Sequence, residues 1–211
     1  MSARVRVKIC GITTEADARI AIEAGADALG FNLWPGSKRH IALDENAGWI
    51  AALPPFVTRV AVLVNAPLDE ARRVAAHPAI DAVQFHGDET PEYLAEFAQL
   101  GRRFIVALRL KDPAGFSRKH SLPTRHVLLD APVAGAYGGT GQALDLSLAR
   151  VFIAQNADSQ VILAGGLTPA NVHAAIVATR PFGVDVASGV ESAPGRKDAE
   201  KVRAFISEAL S

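Results

Sequence analysis

The stretch QVILAGGLTPANVHAAIVATRPFGVDVASG, Gln160–Gly189, contains a strand, a loop, a helix and a second strand. QVILAGG, from Gln160, and FGVDVAS, from Phe182, are nearly continuous apolar runs. Strands covered on both faces of a parallel sheet have this composition, whereas half-exposed antiparallel strands alternate apolar with polar residues. Between the two runs, Thr168 and Pro169 open a helix that places Val172, Ala175 and Ile176 on one face. Each run ends in small residues, Gly165 with Gly166 and Ser188 with Gly189.

The same unit recurs outward from this stretch. Further strand-like runs are VRVKIC from Val5, ADALGFNL from Ala26, VTRVAVLV from Val57, AIDAVQFH from Ala79, RFIVALRL from Arg103 and HVLLD from His126. Thr90 and Pro91 start a helix that carries Leu94, Phe97 and Ala98 inward and stops at Gly101. The last segment repeats the spacing with Val202, Phe205, Ile206 and Ala209. Eight units in 211 residues leave about 26 residues each, enough for a compact βαβ repeat. An open doubly wound sheet competes, but no G-x-G-x-x-G follows the first strand. The expected fold is α/β, a (β/α)8 TIM barrel, with residues 1–211 forming one catalytic domain and no linker or low-complexity break.

Composition narrows the function. Hydrophobic residues make up 49% and charged residues 21% of the chain, an ordinary globular balance and unlike a disordered one. Lys plus Arg equals Asp plus Glu at 22 each, so no net field favours nucleic acid or an anionic membrane. One cysteine cannot form an internal disulfide, and neither a signal core nor a membrane-length apolar run is visible. A cytoplasmic location is expected, with a small molecule as partner. The six histidines are scattered and there is no cysteine cluster, so no metal is expected.

In a barrel of this kind the chemistry lies at the C-terminal ends of the strands. Those ends carry Cys10, Gln84, His86, Asp130, Gly165, Gly166, Ser188 and Gly189. The last four suit a phosphate, because glycine lets backbone N–H groups approach an anion and barrels often place such a site after strands seven and eight. Singly, each pair also reads as a tight turn. Asp130, followed by a long glycine-rich loop, has the setting of a general acid or base or, equally, of a turn cap. Arg39 in PGSKRHI could grip a carboxylate or belong to a solvated basic loop. Cys10 by itself reads as buried packing. Lys8, two residues before Cys10, shares its face of the first strand and could modulate the charge there, as could the helix that follows; no role is assigned to it.

Taken together, KICGIT, GFNLWPGSKRHI, VAVLVN, VQFHGDE, LLDAPVAGAYGGTGQALDL, LAGGLTPANV and GVDVASGVESAPGRKD resemble the phosphoribosylanthranilate isomerases of tryptophan biosynthesis, in order and along the whole chain. The loop reads GTGQ, and His40 follows SKR where an aromatic tyrosine is common, departures that concern loop contacts. The resemblance implies an Amadori rearrangement of a phosphorylated substrate without cofactor or metal, by a monomer or homodimer. It implies that Cys10 is the general base and Asp130 the general acid, and that Arg39 holds the anthranilate carboxylate. Gly165, Gly166, Ser188 and Gly189 would hold the phosphate, and Asp185 would contact a sugar hydroxyl or support the site. Gln84, His86 and Gly141, the last within YGGTGQ, complete the expected substrate contacts. An unperturbed thiol has a pKa of about 8.5, so a thiolate base benefits from a nearby cation. Other readings are a phosphosugar epimerase, which would be expected to show metal ligands, a lyase, which would show a catalytic lysine, and a non-catalytic binder of a phosphorylated ligand.

Overall fold

The computed structural model describes residues 4–110, 121–131 and 144–211. Eight strands close into a barrel in chain order: β1 Arg6–Cys10, β2 Ala28–Asn32, β3 Thr58–Leu63, β4 Ala82–Phe85, β5 Phe104–Arg109, β6 His126–Asp130, β7 Gln160–Leu163 and β8 Gly183–Val186. All eight neighbouring pairs are parallel. β1 meets β8 from Arg6 against Gly183 to Ile9 against Val186, which closes the sheet and removes its edges. All eight strand runs read from the sequence are present.

Helices α1 Glu15–Ala24, α2 Leu43–Ala51, α3 Leu68–Ala76, α4 Pro91–Ala98, α5 Leu146–Gln155, α6 Val172–Thr179 and α7 Ala199–Leu210 lie between or after the strands. Side-chain caps fix several starts. Thr14 accepts from the Asp17 N–H and Thr90 from the Tyr93 N–H, while Asp145 and Asp198 cap α5 and α7. Each satisfies one or two N–H groups that the first turn leaves without an intrahelical acceptor. Among the described residues, no helix is long and apolar enough to cross a membrane.

The strands are largely apolar because each face of the sheet packs in its own core. Val7, Ile9, Leu29, Phe31, Val127 and Leu129 are buried outward with helix residues such as Ala18, Phe152 and Phe205. Ala107, Leu128 and Ala164 form a separate cluster inside the barrel. Side chains alternate faces along a strand, so Lys8, Cys10, Gly30, Gln84, Asp130 and Asp185 point inward, the last of each series near the mouth. A cavity of about 320 Å³ lies at the other end, lined by strand-start residues including Arg6, Ala28, His126 and Gly183.

Two local features differ from the sequence reading. Helix α6 begins at Val172, after Asn171, rather than at Pro169. The Asn171 side chain accepts from the Thr168 N–H at 2.8 Å and donates to the Gly166 carbonyl at 3.0 Å, so Thr168–Asn171 is a turn that braces the glycine pair. Past β8, a 3₁₀ turn Ser188–Val190 leads into a small antiparallel hairpin, β9 Glu191–Ala193 with β10 Arg196–Lys197. This hairpin was not expected from the sequence, and it brings two charged side chains to the barrel mouth.

Candidate active site

The end of β1 is crowded. Cys10 is partly exposed and stands opposite Gly30 of β2. A methyl group on Gly30 would lie 2.6 Å from Cys10 Sγ and 3.1 Å from Lys8 Nζ. Glycine at position 30 therefore makes room for both the thiol and the ammonium, which share the space above it. Lys8 is in register with Asp185 of β8, and its Nζ donates to Asp185 Oδ1 at 2.7 Å, with both side chains buried.

A second charged group sits beside the first. Arg39 donates from Nε and Nη2 to the two oxygens of Glu191, each at 2.7 Å. Lys197 Nζ donates to Glu191 Oε1 at 2.9 Å, to the Cys10 carbonyl at 2.6 Å and to the Ala187 carbonyl at 3.2 Å. Gly11, with φ +74°, has no side chain to collide with the Arg39 stem that lies over it. Arg39 and Lys197 against Glu191 leave one positive charge in excess. Among the described residues Arg39 Nη1 has no acceptor, so two N–H groups of the fork are available to an incoming anion.

These contacts set the protonation of the group. Burial disfavours a charged lysine, but Asp185 and then Cys10 outweigh it and hold the Lys8 ammonium above its ordinary value. Burial pushes the Cys10 thiol up; Lys8 pulls it down, Asp185 pushes it up and Lys197 pulls it down, and the net direction is upward. Burial also works against the Glu191 carboxylate, yet the hydrogen bond from Arg39 and the charge of Lys197 keep it below its ordinary range.

Across the mouth, Asp130 ends β6 and is buried. Its Oδ1 accepts from the Ala131 N–H at 2.8 Å and its Oδ2 meets His86 Nε2 at 3.0 Å. Gln84 is fully buried, and its Nε2 lies 2.9 Å from His86 Nδ1. Gln84, His86 and Asp130 thus form one hydrogen-bonded chain running from inside the barrel to its mouth. The glycines adjoin it. A methyl on Gly165 would lie 2.7 Å from the Ala131 nitrogen and 3.1 Å from Asp130 Oδ1, and one on Gly189 would collide with the Leu167 carbonyl. The loops after β7 and β8 therefore touch backbone to backbone. Ser188 and Gly189 open a 3₁₀ turn, whose first N–H groups have no intrahelical acceptor.

Most of the expected residues converge on the mouth. Cys10, Lys8, Asp185 and Arg39 gather at β1, while Gln84, His86, Asp130 and Gly165 gather at β4, β6 and β7. Asp185 is committed to Lys8, and Gln84 lies one step behind His86. Gly141 lies outside the described residues. Glu191 and Lys197, which lie within GVDVASGVESAPGRKD, were not singled out from the sequence. Among the described residues, no three His, Cys, Asp or Glu side chains converge as a metal ion would need.

The comparisons with known proteins agree on the family and on the barrel. The sequence model of the N-(5'phosphoribosyl)anthranilate (PRA) isomerase family matches residues 7–208. The N-(5'-phosphoribosyl)anthranilate isomerase of Geobacter metallireducens is 50% identical over 206 residues, covering 97% of this chain and 98% of that one. The crystal structure of phosphoribosyl anthranilate isomerase from Thermotoga maritima superposes with a TM-score of 0.87 at 38% identity, over 97% of this chain and 98% of that one. A phosphoribosyl anthranilate isomerase structure in complex with reduced 1-(o-carboxyphenylamino)-1-deoxyribulose 5-phosphate gives a TM-score of 0.83 at 38% identity, with the same coverage. The chain belongs to the N-(5'-phosphoribosyl)anthranilate isomerase family.

Proposed function

We propose that Cys10 and Asp130 are the base and acid with which this chain carries out its family's reaction. The chain is an isomerase of tryptophan biosynthesis that converts N-(5-phosphoribosyl)anthranilate to 1-(2-carboxyphenylamino)-1-deoxyribulose 5-phosphate. Asp130 gives its proton to the furanose ring oxygen as the C1–O bond breaks, and the anilino nitrogen lone pair forms the iminium. The Cys10 thiolate then takes the proton from C2. The C–H pair becomes the C1–C2 double bond and the iminium pair returns to nitrogen, giving an enolamine. Loss of the enol proton to the Asp130 carboxylate, with protonation at C1 from the Cys10 thiol, gives the ketose and restores both groups.

The observation that carries the acid assignment is the position of Asp130. Its carboxyl has His86 on one oxygen and the Gly165 backbone beside the other, so a phosphate held at the glycine turns of β7 and β8 would place the sugar within its reach. The excess positive charge of Arg39, Lys197 and Glu191 supports Arg39 as the partner of the anthranilate carboxylate, with its Nη1 donors directed to the substrate. Glu191 holds the guanidinium in place and Lys197 ties that pair to the β1 backbone.

The test uses phosphoribosylanthranilate generated in place and follows the loss of its anthranilate fluorescence. Wild-type protein should consume it well above the spontaneous rate. Cys10→Ala and Asp130→Asn should each slow turnover by about 10²-fold or more with the fold intact. Near-wild-type rates in either variant would remove that residue from its role.

A further inference from the structure

We propose that Lys8 is the counter-charge of the Cys10 thiolate, and that Asp185 works through Lys8 to set the charge of the proton-abstracting end of the site. The inference deepens the reading of Cys10 as the base and rests on it. Its starting point is geometric. Gly30 leaves a gap in the barrel lining, and Sγ and Nζ both border it, at 2.6 Å and 3.1 Å from one common point. Lys8 cannot turn away, because its register partner Asp185 holds Nζ at 2.7 Å and both side chains are buried.

The sum of charges shows what this arrangement favours. With Cys10 as a thiol, Lys8 and Asp185 cancel. With Cys10 as a thiolate, the three groups together carry one negative charge, next to the carbon where the substrate becomes a cationic iminium. Lys8 without Asp185 would leave the thiolate group neutral overall and its cation facing the iminium. Asp185 without Lys8 would oppose formation of the thiolate altogether, as like charges do at short range. The pair therefore allows the thiolate to form while leaving it attracted to the intermediate that it deprotonates. Lys8 takes no proton in this scheme; it is a positioning residue acting through charge.

Charged groups face Cys10 from every element around it: Lys8 on β1, Asp185 on β8, Lys197 on β10, and Arg39 in the loop after β2, itself paired with Glu191 on β9. The chain has one cysteine, so alkylation by iodoacetamide reads Cys10 alone and does not depend on turnover. The pH at which the alkylation rate reaches half its maximum reports thiolate formation. Lys8→Met should move that midpoint to higher pH by about one unit or more, a loss of about tenfold in rate below it. Asp185→Asn should move it the other way. Opposite displacements are a result that loss of structure cannot produce, since unfolding moves both variants toward a free thiol.

Circular dichroism confirms the fold of each variant before alkylation. A Lys8→Met midpoint at or below that of the wild type in folded protein overturns the proposal, and so does an Asp185→Asn midpoint that is unchanged or higher. If Lys8→Met does not fold, the Asp185→Asn result decides alone. The underlying reading fails separately: a Cys10→Ala variant with wild-type turnover removes the base while leaving the alkylation midpoints as they are.

Discussion

Arg39 and Glu191 are separated by 152 positions in the chain and meet in a parallel two-bond fork, with both N–O distances at 2.7 Å. The arginine comes from the loop after the second strand and the glutamate from a hairpin after the eighth. Closure of the barrel makes these two loops neighbours, because β1, the only strand between β2 and β8 in that direction, is flanked by both. A long arginine side chain free in solution would sample many rotamers. Clamped on one edge, it presents the remaining edge of the guanidinium in a single orientation, which is what recognition of a planar carboxylate needs.

Glu191→Gln should therefore weaken substrate binding more than chemistry. The expected result is a KM raised about tenfold with kcat changed far less. It should also destabilise the protein by about 3 kcal/mol, because Arg39 and Lys197 would lose the carboxylate between them. Steady-state kinetics and a thermal melt on the same preparation check both. Unchanged KM would remove the clamp from the site.

Acid should act on the same pair. Burial opposes the Glu191 carboxylate, but Arg39 and Lys197 hold its pKa below the ordinary 4.5. A carboxyl depressed in the folded state contributes stability that is complete above its unfolded pKa and lost as pH falls through the lower folded value. Urea midpoints measured from about pH 6 to about pH 3 should therefore fall below pH 4.5 in the wild type. The fall should be shallower in Glu191→Gln, and equal slopes in the two proteins would count against the pairing.

His86→Asn tests the hydrogen-bonded chain behind the acid. It removes the ring nitrogen that meets Asp130 Oδ2 and leaves the carboxyl itself in place. Turnover should drop by roughly tenfold, clearly less than in Asp130→Asn, where the proton donor is lost and about 10²-fold or more is expected. Equal losses in the two variants would mean that the proton is carried by the pair rather than by Asp130.

Gly165→Ala tests the glycine turn after β7. At φ +81° an alanine is strained by about 1–2 kcal/mol, and its methyl would press on the Ala131 nitrogen at 2.7 Å. Melting temperature should fall by several degrees. Inhibition by inorganic phosphate should weaken as well if the turn is part of the phosphate site. A variant that is destabilised but still inhibited as strongly as the wild type would leave Gly165 a structural residue only.

Much of this protein can be read from its residues in order. The apolar runs at 127–129 and 161–164 mark strands covered on both faces, whereas VRVKIC alternates apolar with charged residues because its inward Lys8 is paired with Asp185. Thr90 with Pro91 marks the start of α4, because an N-cap oxygen and a preset φ act within a few bonds. Helix α6 was misplaced by three residues because the asparagine that ends its preceding turn is engaged with Gly166, a contact set by the loop after β7 and not by helix propensity.

The sequence by itself determined the barrel and the strand ends, because these follow from periodicity and local backbone preference, while the acid and base roles of Asp130 and Cys10 came with the resemblance of its motifs to one family. Tertiary structure alone decided which charges pair. Lys8 read as a possible modulator of charge beside Cys10, and only the closure of β1 against β8 gave it Asp185 as a partner. Glu191 and Lys197 carried no reading of their own until the hairpin placed them beside Arg39 and the end of β1. Burial and pairing depend on groups far apart in the chain, and a buried charge is tolerated only where such a partner arrives.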